Sequence, residues 1–182
     1  MSNGNNAASE YLESDVLIIG TGIAGATVAL TLADAGIPVT LVTRARAPED
    51  SNTLWAQGGI IYTSPEDSPA QLAEDVVRAG AGHSYPRAVQ ILAEEGPGAV
   101  RRVLLERAGV AFDHTANGEL SLALEGGHSL PRIIHAADAT GRAIEIALLN
   151  TLRTHPKVTL LTGHTAVDLL TPSHHARNRL AV

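Results

Sequence analysis

The segment at residues 20–25 (GTGIAG) restricts the fold of this chain more than any other stretch. An apolar run over residues 15–20 (DVLIIG) precedes it and predicts a strand that is buried on both faces, as in a parallel sheet. Small apolar helix formers follow over residues 23–35, and a second strand pattern covers residues 38–42. The order of strand, glycine-rich turn, helix and strand predicts a βαβ unit and therefore an α/β fold.

The spacing G-x-G-x-x-G has a mechanical basis. Gly20 permits the tight turn, Gly22 leaves room for a pyrophosphate, and Gly25 lets the helix pack closely on the strand. The N-terminus of the helix would hold the phosphates, because its free N–H groups and its dipole favour negative charge. A glycine-rich turn without a ligand is the alternative. The residues predicted to bind a dinucleotide are Gly20, Thr21, Gly22, Ile23, Ala24 and Gly25.

The end of the second strand departs from the usual dinucleotide-binding pattern. An acidic residue that binds the ribose is expected about 20 residues after the glycines, and Thr43-Arg44 stands there instead. Arg44 is therefore a second candidate for cofactor binding. Because an arginine at this place suits the 2′-phosphate of NADP, the strand by itself leaves NADP open.

The remaining pattern predicts shorter elements. Residues 68–71 (SPAQ) form a capping box with proline at the first helical position, and Asp138 and Thr140 are expected to cap a later helix. Residues 1–14 are expected to be a disordered tail. The predicted elements are helices over residues 69–79, 86–108 (broken near Gly96-Pro97) and 141–154, strands over residues 110–112, 158–161, 166–170 and 179–182, and a turn at Asn117-Gly118.

Composition excludes several classes of function. The net charge of −6 and the absence of a basic cluster argue against nucleic-acid binding. The absence of cysteine excludes disulfides and thiolate catalysis. The spacing of His128 and His135 matches no known metal-ligand pattern, so no metal is expected and His135 is interpreted as structural. No secretory signal and no apolar run of about 20 residues is present, which favours a soluble, cytoplasmic protein.

A second motif lies at residues 51–60 (SNTLWAQGGI). Together with the glycines it resembles the succinate dehydrogenase/fumarate reductase flavoprotein family, in which this loop runs beneath the flavin ring. The resemblance implies FAD rather than NADP. Asn52 stands where covalently flavinylated members have histidine, so it implies non-covalent FAD. Trp55 would pack against the ring or fill the core. The loop residues implied in FAD binding are Asn52, Thr53, Leu54, Trp55, Ala56, Gln57, Gly58 and Gly59.

A third block, residues 125–129 (EGGHS) and 132–141 (RIIHAADATG), resembles the L-aspartate oxidase branch of that family. The resemblance implies that Glu125 is a catalytic-site residue that pairs with the ammonium group of the substrate, a group that succinate lacks. A solvated loop glutamate is the alternative. Thr165 and Ala166 resemble the segment whose backbone meets the adenosine part of FAD.

The resemblance covers residues 15 to about 170 and implies the start of a Rossmann-like FAD-binding domain of the GR2 type. Residues 15–182 would be its N-terminal part, with the rest of that domain and the capping domain beyond Val182. The implied activity is oxidation of L-aspartate to iminoaspartate with oxygen or fumarate, linked to quinolinate synthase and NAD biosynthesis. The alternatives are a fumarate reductase-like or succinate-oxidising flavoprotein, and an inactive truncated module.

Overall fold

The computed structural model describes residues 11–171, which begin with the predicted βαβ unit. Strand β1 (Val16–Ile19) leads into helix α1 (Ile23–Asp34), and strand β2 (Val39–Thr43) then pairs with β1 in parallel. Gly20 turns the chain with φ +104°, and a Cβ on Gly25 would lie 2.2 Å from the carbonyl oxygen of Gly20. The turn therefore has the two glycine-dependent features that the motif predicted. The parts of the tail and of the last strand that fall within residues 1–10 and 172–182 lie outside the described residues.

A third strand completes the parallel sheet. Strand β6 (Val158–Thr162) pairs with the other edge of β2, so the order is β1-β2-β6. Helix α4 (Thr140–Thr154) precedes β6 and packs with α1 over one face of the sheet, where Leu148 and Leu152 are fully buried. The predicted α/β class is confirmed.

The prediction that β1 is buried on both faces is wrong. Leu17 and Ile19 are 57% and 68% exposed, whereas Val16 and Ile18 pack against the core. The physical reason is that helices cover only one face of this strand within residues 11–171. The four residues before it, 11–14, are exposed and form no regular structure, although the Ser14 hydroxyl donates a hydrogen bond to that of Thr40 at 2.9 Å. A disordered tail over residues 1–14 stays a prediction.

A small antiparallel sheet lies apart from the parallel one. It consists of β3 (Ile60–Ile61), β4 (Leu122–Ala123) and β5 (Ile133–Ile134) in the order β3-β5-β4. Because β5 pairs with both neighbours, the loop that ends at β3 comes to lie beside the segment that joins β4 to β5.

Helices α2 (Pro69–Ala79) and α3 (Pro86–Val100) pack against each other. The hydroxyl of Ser68 accepts a hydrogen bond from the Gln71 N–H at 3.2 Å, which confirms Ser68 as the cap. The reciprocal half of the predicted capping box does not form, because the Ser68 N–H bonds to Oδ1 of Asp67 rather than to the Gln71 side chain. The predicted break near Pro97 is wrong, since α3 continues through it and then widens into a π-helix (Arg101–Arg107). The free energy gained by burying Val89, Ala93 and Leu104 on these two helices outweighs the loss of the hydrogen bond that proline cannot make.

Two of the weaker strand predictions are also wrong. Val110 and Phe112 are buried, but residues 110–112 form no strand, because the Val110 N–H bonds to the carbonyl of Leu104 rather than to a neighbouring strand. Residues 166–170 follow an irregular path. The predicted turn at Asn117-Gly118 is confirmed by a hydrogen bond from the Gly118 N–H to the carbonyl oxygen of Thr115 at 2.9 Å.

The side-chain caps predicted for α4 are wrong. Ala139 occupies the cap position and makes no side-chain bond. The hydroxyl of Thr140 instead accepts a hydrogen bond from the Ala136 N–H at 3.0 Å, within the preceding turn. Within residues 11–171, no helix has the length and apolar character needed to cross a membrane, and no group of three or more potential metal ligands comes together.

Candidate functional site

A groove of about 530 Å³ lies where β1 and β2 end and α1 begins. It gathers four sequence segments, from Ile19 near the start of the chain to Ala166 near its end. Most of the residues predicted to bind a dinucleotide line it, together with several that the sequence did not single out. The predicted residues in its wall are Gly20, Thr21, Gly22, Ile23, Ala24, Gly25, Arg44, Asn52, Thr53, Thr165 and Ala166, and the others are Ile19, Val42, Thr43, Asp50, Ser51 and His164.

The N-terminus of α1 offers an anion-binding site to this groove. The hydroxyl of Thr53 accepts the Ile23 N–H at 3.0 Å, whereas no described residue accepts the N–H groups of Ala24 and Gly25. A Cβ on Gly22 would come within 3.1 Å of the Thr53 hydroxyl, so glycine keeps this approach open. Free helix N–H groups and the positive end of the helix dipole suit a pyrophosphate.

Two loops are held at the edge of the groove by hydrogen bonds to backbone carbonyl groups. The hydroxyl of Thr21 donates to the carbonyl of Pro48 at 2.6 Å, so Thr21 faces the groove through its backbone rather than through its side chain. The His164 N–H bonds to the carbonyl of Thr43 at 3.0 Å. This contact explains why Thr165 and Ala166 reach the groove although they belong to no strand.

A second cavity of about 500 Å³ contains Glu125. Its wall also includes Gln57 and Gly58 from the loop before β3, and a Cβ on Gly58 would lie 3.6 Å from Glu125 Oε2. The Glu125 carboxylate bonds to no described residue, so it is available to a ligand. His135 shares this wall, and its Nδ1 lies 3.0 Å from Asp113. The other wall residues are Ala123, Ala137 and Asp138.

The remaining predicted loop residues, Leu54, Trp55, Ala56 and Gly59, line neither of these two cavities. Trp55 is 72% exposed, so the interpretation of this residue as core is wrong. The Ala56 carbonyl accepts the Gly141 N–H at 3.1 Å. Their contribution to cofactor binding stays a prediction.

The N-terminus of α4 packs closely against the same loop. A Cβ on Gly141 would lie 2.0 Å from the carbonyl oxygen of Thr53 and 2.6 Å from that of Ala56. This glycine therefore lets the helix support the loop from behind. In the sequence, Gly141 is marked only by its position after Thr140 at the start of a predicted helix. No sequence pattern indicates that it contacts residues 51–59.

Glu145 is a further residue that sequence reasoning missed. It lies on α4, is fully buried, and neither of its carboxylate oxygens has a hydrogen-bond partner among the described residues. Burial raises the pKa of the Glu145 carboxyl to about 7. The nearby Ser51 hydroxyl, although not in regular hydrogen-bond geometry, lowers this pKa in part, and the negative charge of Glu49 adds to the rise.

This carboxyl predicts an unusual pH dependence of stability. The folded state holds the proton more tightly than the unfolded state, so the stabilisation is complete below the ordinary pKa of 4.5 and is lost as the pH rises to about 7. We expect Glu145→Gln to remove this loss and to be more stable than wild type at pH 8 by roughly 2–3 kcal/mol. Denaturant unfolding of the full natural chain at pH 5 and pH 8 measures the difference.

Glu106→Gln is the matched control, because it removes an exposed carboxyl and corrects for the general effect of one negative charge. A Glu145→Gln variant whose stability relative to wild type is the same at both pH values would contradict the prediction.

The fold and the groove define a dinucleotide-binding flavoprotein domain, and comparison with known proteins agrees. The model of the FAD binding domain family matches residues 15–179, so the chain belongs to the FAD-binding domain family. The groove fits this cofactor: it presents free helix N–H groups for a pyrophosphate, and it is also lined by Ser51, whose buried hydroxyl has no partner among the described residues.

Individual proteins similar to this chain are L-aspartate oxidases in sequence and a fumarate reductase in structure. The chain is 43% identical to L-aspartate oxidase 2-a, chloroplastic, of Nicotiana tabacum over 158 residues (86% of this chain and 24% of that protein). It is 44% identical to an L-aspartate oxidase of Streptomyces coelicolor over 144 residues (78% and 24%). An Escherichia coli quinol fumarate reductase is similar in structure, with a TM-score of 0.79 and 25% identity over 86% of this chain and 27% of that one. The chain thus spans about a quarter of the length of these relatives.

Proposed function

We propose that this chain is part of an FAD-dependent L-aspartate oxidase, which oxidises L-aspartate to iminoaspartate with oxygen or fumarate as the electron acceptor. The observation that carries the proposal is the cavity in which Glu125 meets Gln57 and Gly58 of the predicted flavin loop. An unpaired carboxylate beside that loop suits a substrate that carries an ammonium group. The similarity to L-aspartate oxidases of plants and bacteria supports the same reading.

FAD, when bound, would supply the hydride-accepting chemistry that oxidation at Cα of an amino acid requires. The chain binds and orients the reactants. The N–H groups of Ala24 and Gly25 would hold the pyrophosphate, Arg44 on the groove wall would be a cationic contact, and Thr165-Ala166 would meet the adenosine end. Glu125 would hold the substrate ammonium and so bring Cα close to the loop at Gln57 and Gly58.

Asn52 supports non-covalent attachment of the cofactor. It lies on the wall of the groove, where its amide can donate and accept hydrogen bonds but offers no imidazole nitrogen for a covalent bond to flavin. Denaturation in acid should therefore release free FAD into the supernatant, whereas a yellow protein pellet would contradict this part of the proposal.

The product places the reaction in the biosynthesis of NAD, where quinolinate synthase would consume iminoaspartate. The electron acceptor, this partner and a cytoplasmic location are predictions of the proposal. The plant relative named above is described as chloroplastic, so location is a property to be measured for the natural protein.

A fumarate reductase-like activity is the second candidate, and the structural similarity to quinol fumarate reductase favours it. The unpaired Glu125 carboxylate argues against it, because a dicarboxylate without an ammonium group would meet like charge there. Anaerobic titration of the FAD-loaded, full natural chain separates the two. Bleaching of the flavin absorbance by L-aspartate but not by succinate or D-aspartate supports the proposal, and bleaching by succinate alone would overturn it.

Glu125→Gln tests the role of the carboxylate directly. We expect the KM for L-aspartate to rise by about tenfold to a hundredfold, the worth of a charge-assisted hydrogen bond. The KM for fumarate should not rise, because that ligand has no ammonium group to pair with Glu125 and meets one negative charge fewer in the variant. Steady-state kinetics with both ligands measures the split.

Glu119→Gln serves as the matched control, because it removes an exposed carboxylate six positions earlier that lines neither cavity. Equal effects of Glu125→Gln on both ligands would remove the ammonium-pairing role.

A further inference from the structure

The segment that follows Glu125 is tied to helix α2 by a buried network of charges. Arg132 is fully buried and forms two hydrogen bonds to Asp67, at 2.7 and 2.9 Å, and one to Asp75, at 2.5 Å. Both carboxylates are almost fully buried as well, at 3% and 2% side-chain exposure. Such a cluster is costly to desolvate and is stable only when every partner is in place.

Asp75 is the centre of this network. Its Oδ2 accepts both the backbone N–H and the hydroxyl of Ser129, each at 2.8 Å, and its Oδ1 accepts a hydrogen bond from Arg78. Burial alone would raise the pKa of Asp75, but the hydrogen bonds from Ser129, Arg132 and Arg78 outweigh it and hold this pKa well below its usual range. Asp75 is therefore a permanent anion around which the segment is arranged.

The contacts converge on the tight turn that Glu125 begins. The His128 N–H bonds back to the carbonyl of Glu125 at 3.2 Å, and Gly127 has φ +84°. Arg78 donates to the carbonyl of Gly127 at 3.0 Å, and Nη1 of Arg132 lies 2.9 Å from Nδ1 of His128. Helix α2 thus holds the turn at Gly127 and Ser129, and Arg132 contacts it at His128. The Glu125 side chain has no hydrogen bond to a described residue.

We infer that Asp75 is a positioning residue for Glu125, which aims the carboxylate at a cationic ligand in the cavity beside Gln57. This inference rests on the proposed function, because it assigns a specificity role to the same site. Asp75 touches no ligand itself. It acts through Ser129 and Arg78, which hold the backbone of the turn. A fixed backbone leaves fewer orientations open to the Glu125 side chain, so less conformational freedom is lost when a ligand binds.

A double-mutant cycle tests the inference in the full natural chain loaded with FAD. Asp75→Asn should raise the KM for L-aspartate by about tenfold in the wild-type background and by less than about twofold in the Glu125→Gln background, because its effect passes through Glu125. The affinity for FAD, read from flavin fluorescence, should stay within about twofold of wild type. An equal rise of KM in both backgrounds, or an equal loss of FAD affinity, would overturn the inference.

Two further variants guard against simple loss of folding. Ser129→Ala removes only the hydroxyl bond to Asp75 and should reproduce the KM effect at about threefold, the worth of one modest hydrogen bond. Asp34→Asn is the control, because it breaks an exposed ion pair with Arg107 elsewhere in the fold and should leave the KM unchanged. A KM effect of Asp34→Asn as large as that of Ser129→Ala would mean that general destabilisation explains both.

Hydrogen exchange separates failure of the inference from failure of the proposed function. If L-aspartate does not bleach the wild-type flavin, the proposed function fails, and the exchange rate of the Ser129 amide still reports on the network. Faster exchange of this amide in Asp75→Asn than in Asp34→Asn supports the positioning of the turn. Equal rates in the two variants would overturn it.

Discussion

Arg132→Met should lower the free energy of unfolding by about 3–5 kcal/mol, the typical cost of leaving buried charges without their partner. The substitution keeps a long side chain but removes all the hydrogen bonds that Asp67 and Asp75 receive from the guanidinium. Denaturant unfolding at pH 7 measures the effect.

Arg107→Met is the matched control for this prediction. Arg107 also makes two hydrogen bonds to one carboxylate, that of Asp34, but both side chains of this pair are about 40% exposed. We expect its loss to cost less than about 1 kcal/mol, because water already solvates the pair. Similar losses for the two variants would show that burial of the Arg132 network adds nothing to its energy.

Gly25→Ala should weaken FAD binding by about a hundredfold or more, equivalent to about 2.7 kcal/mol. The new Cβ would lie 2.2 Å from the carbonyl oxygen of Gly20, which is backbone and cannot rotate away. Helix α1 must therefore move off β1, and the free N–H groups at its start move with it. Titration of the apoprotein with FAD, followed by flavin fluorescence, measures the dissociation constant.

Gly96→Ala provides the control, since Gly96 lies inside α3 and a Cβ there would meet only the Leu92 side chain at an ordinary 3.8 Å. Alanine is the better helix former by about 1 kcal/mol, so this variant should be as stable as wild type or more so, with unchanged FAD affinity. An affinity of Gly25→Ala within about threefold of wild type would contradict the predicted steric cause.

These two predictions concern different parts of the site. The first tests what holds the substrate side of the site in place, and the second tests the cofactor side. A result in which Arg132→Met loses L-aspartate binding but keeps FAD would show that the two cavities are supported independently.

The local motifs were predictable because their constraints are local. The turn of residues 20–25 depends only on the backbone conformation of Gly20 and on the close approach of Gly25 to Gly20. The βαβ unit could therefore be predicted directly from the sequence. The Ser68 cap is equally local, since it joins residues three positions apart. The predicted break at Pro97 failed for the opposite reason: the cost of proline is local, but burial of the helix elsewhere outweighs it.

By itself, the sequence determined the α/β class, the dinucleotide-binding turn and Arg44 as a candidate contact, and the resemblance to a known family indicated the other two segments of the groove wall. Only the tertiary structure decided that Glu125 meets the loop at Gln57 and Gly58, that Gly141 supports this loop, and that Asp75 and Arg132 hold the turn after Glu125. These pairs lie about 50 to 90 positions apart, and no periodicity or spacing relates their members. Long-range pairing depends on how the small antiparallel sheet and helix α2 pack, which only the three-dimensional fold specifies.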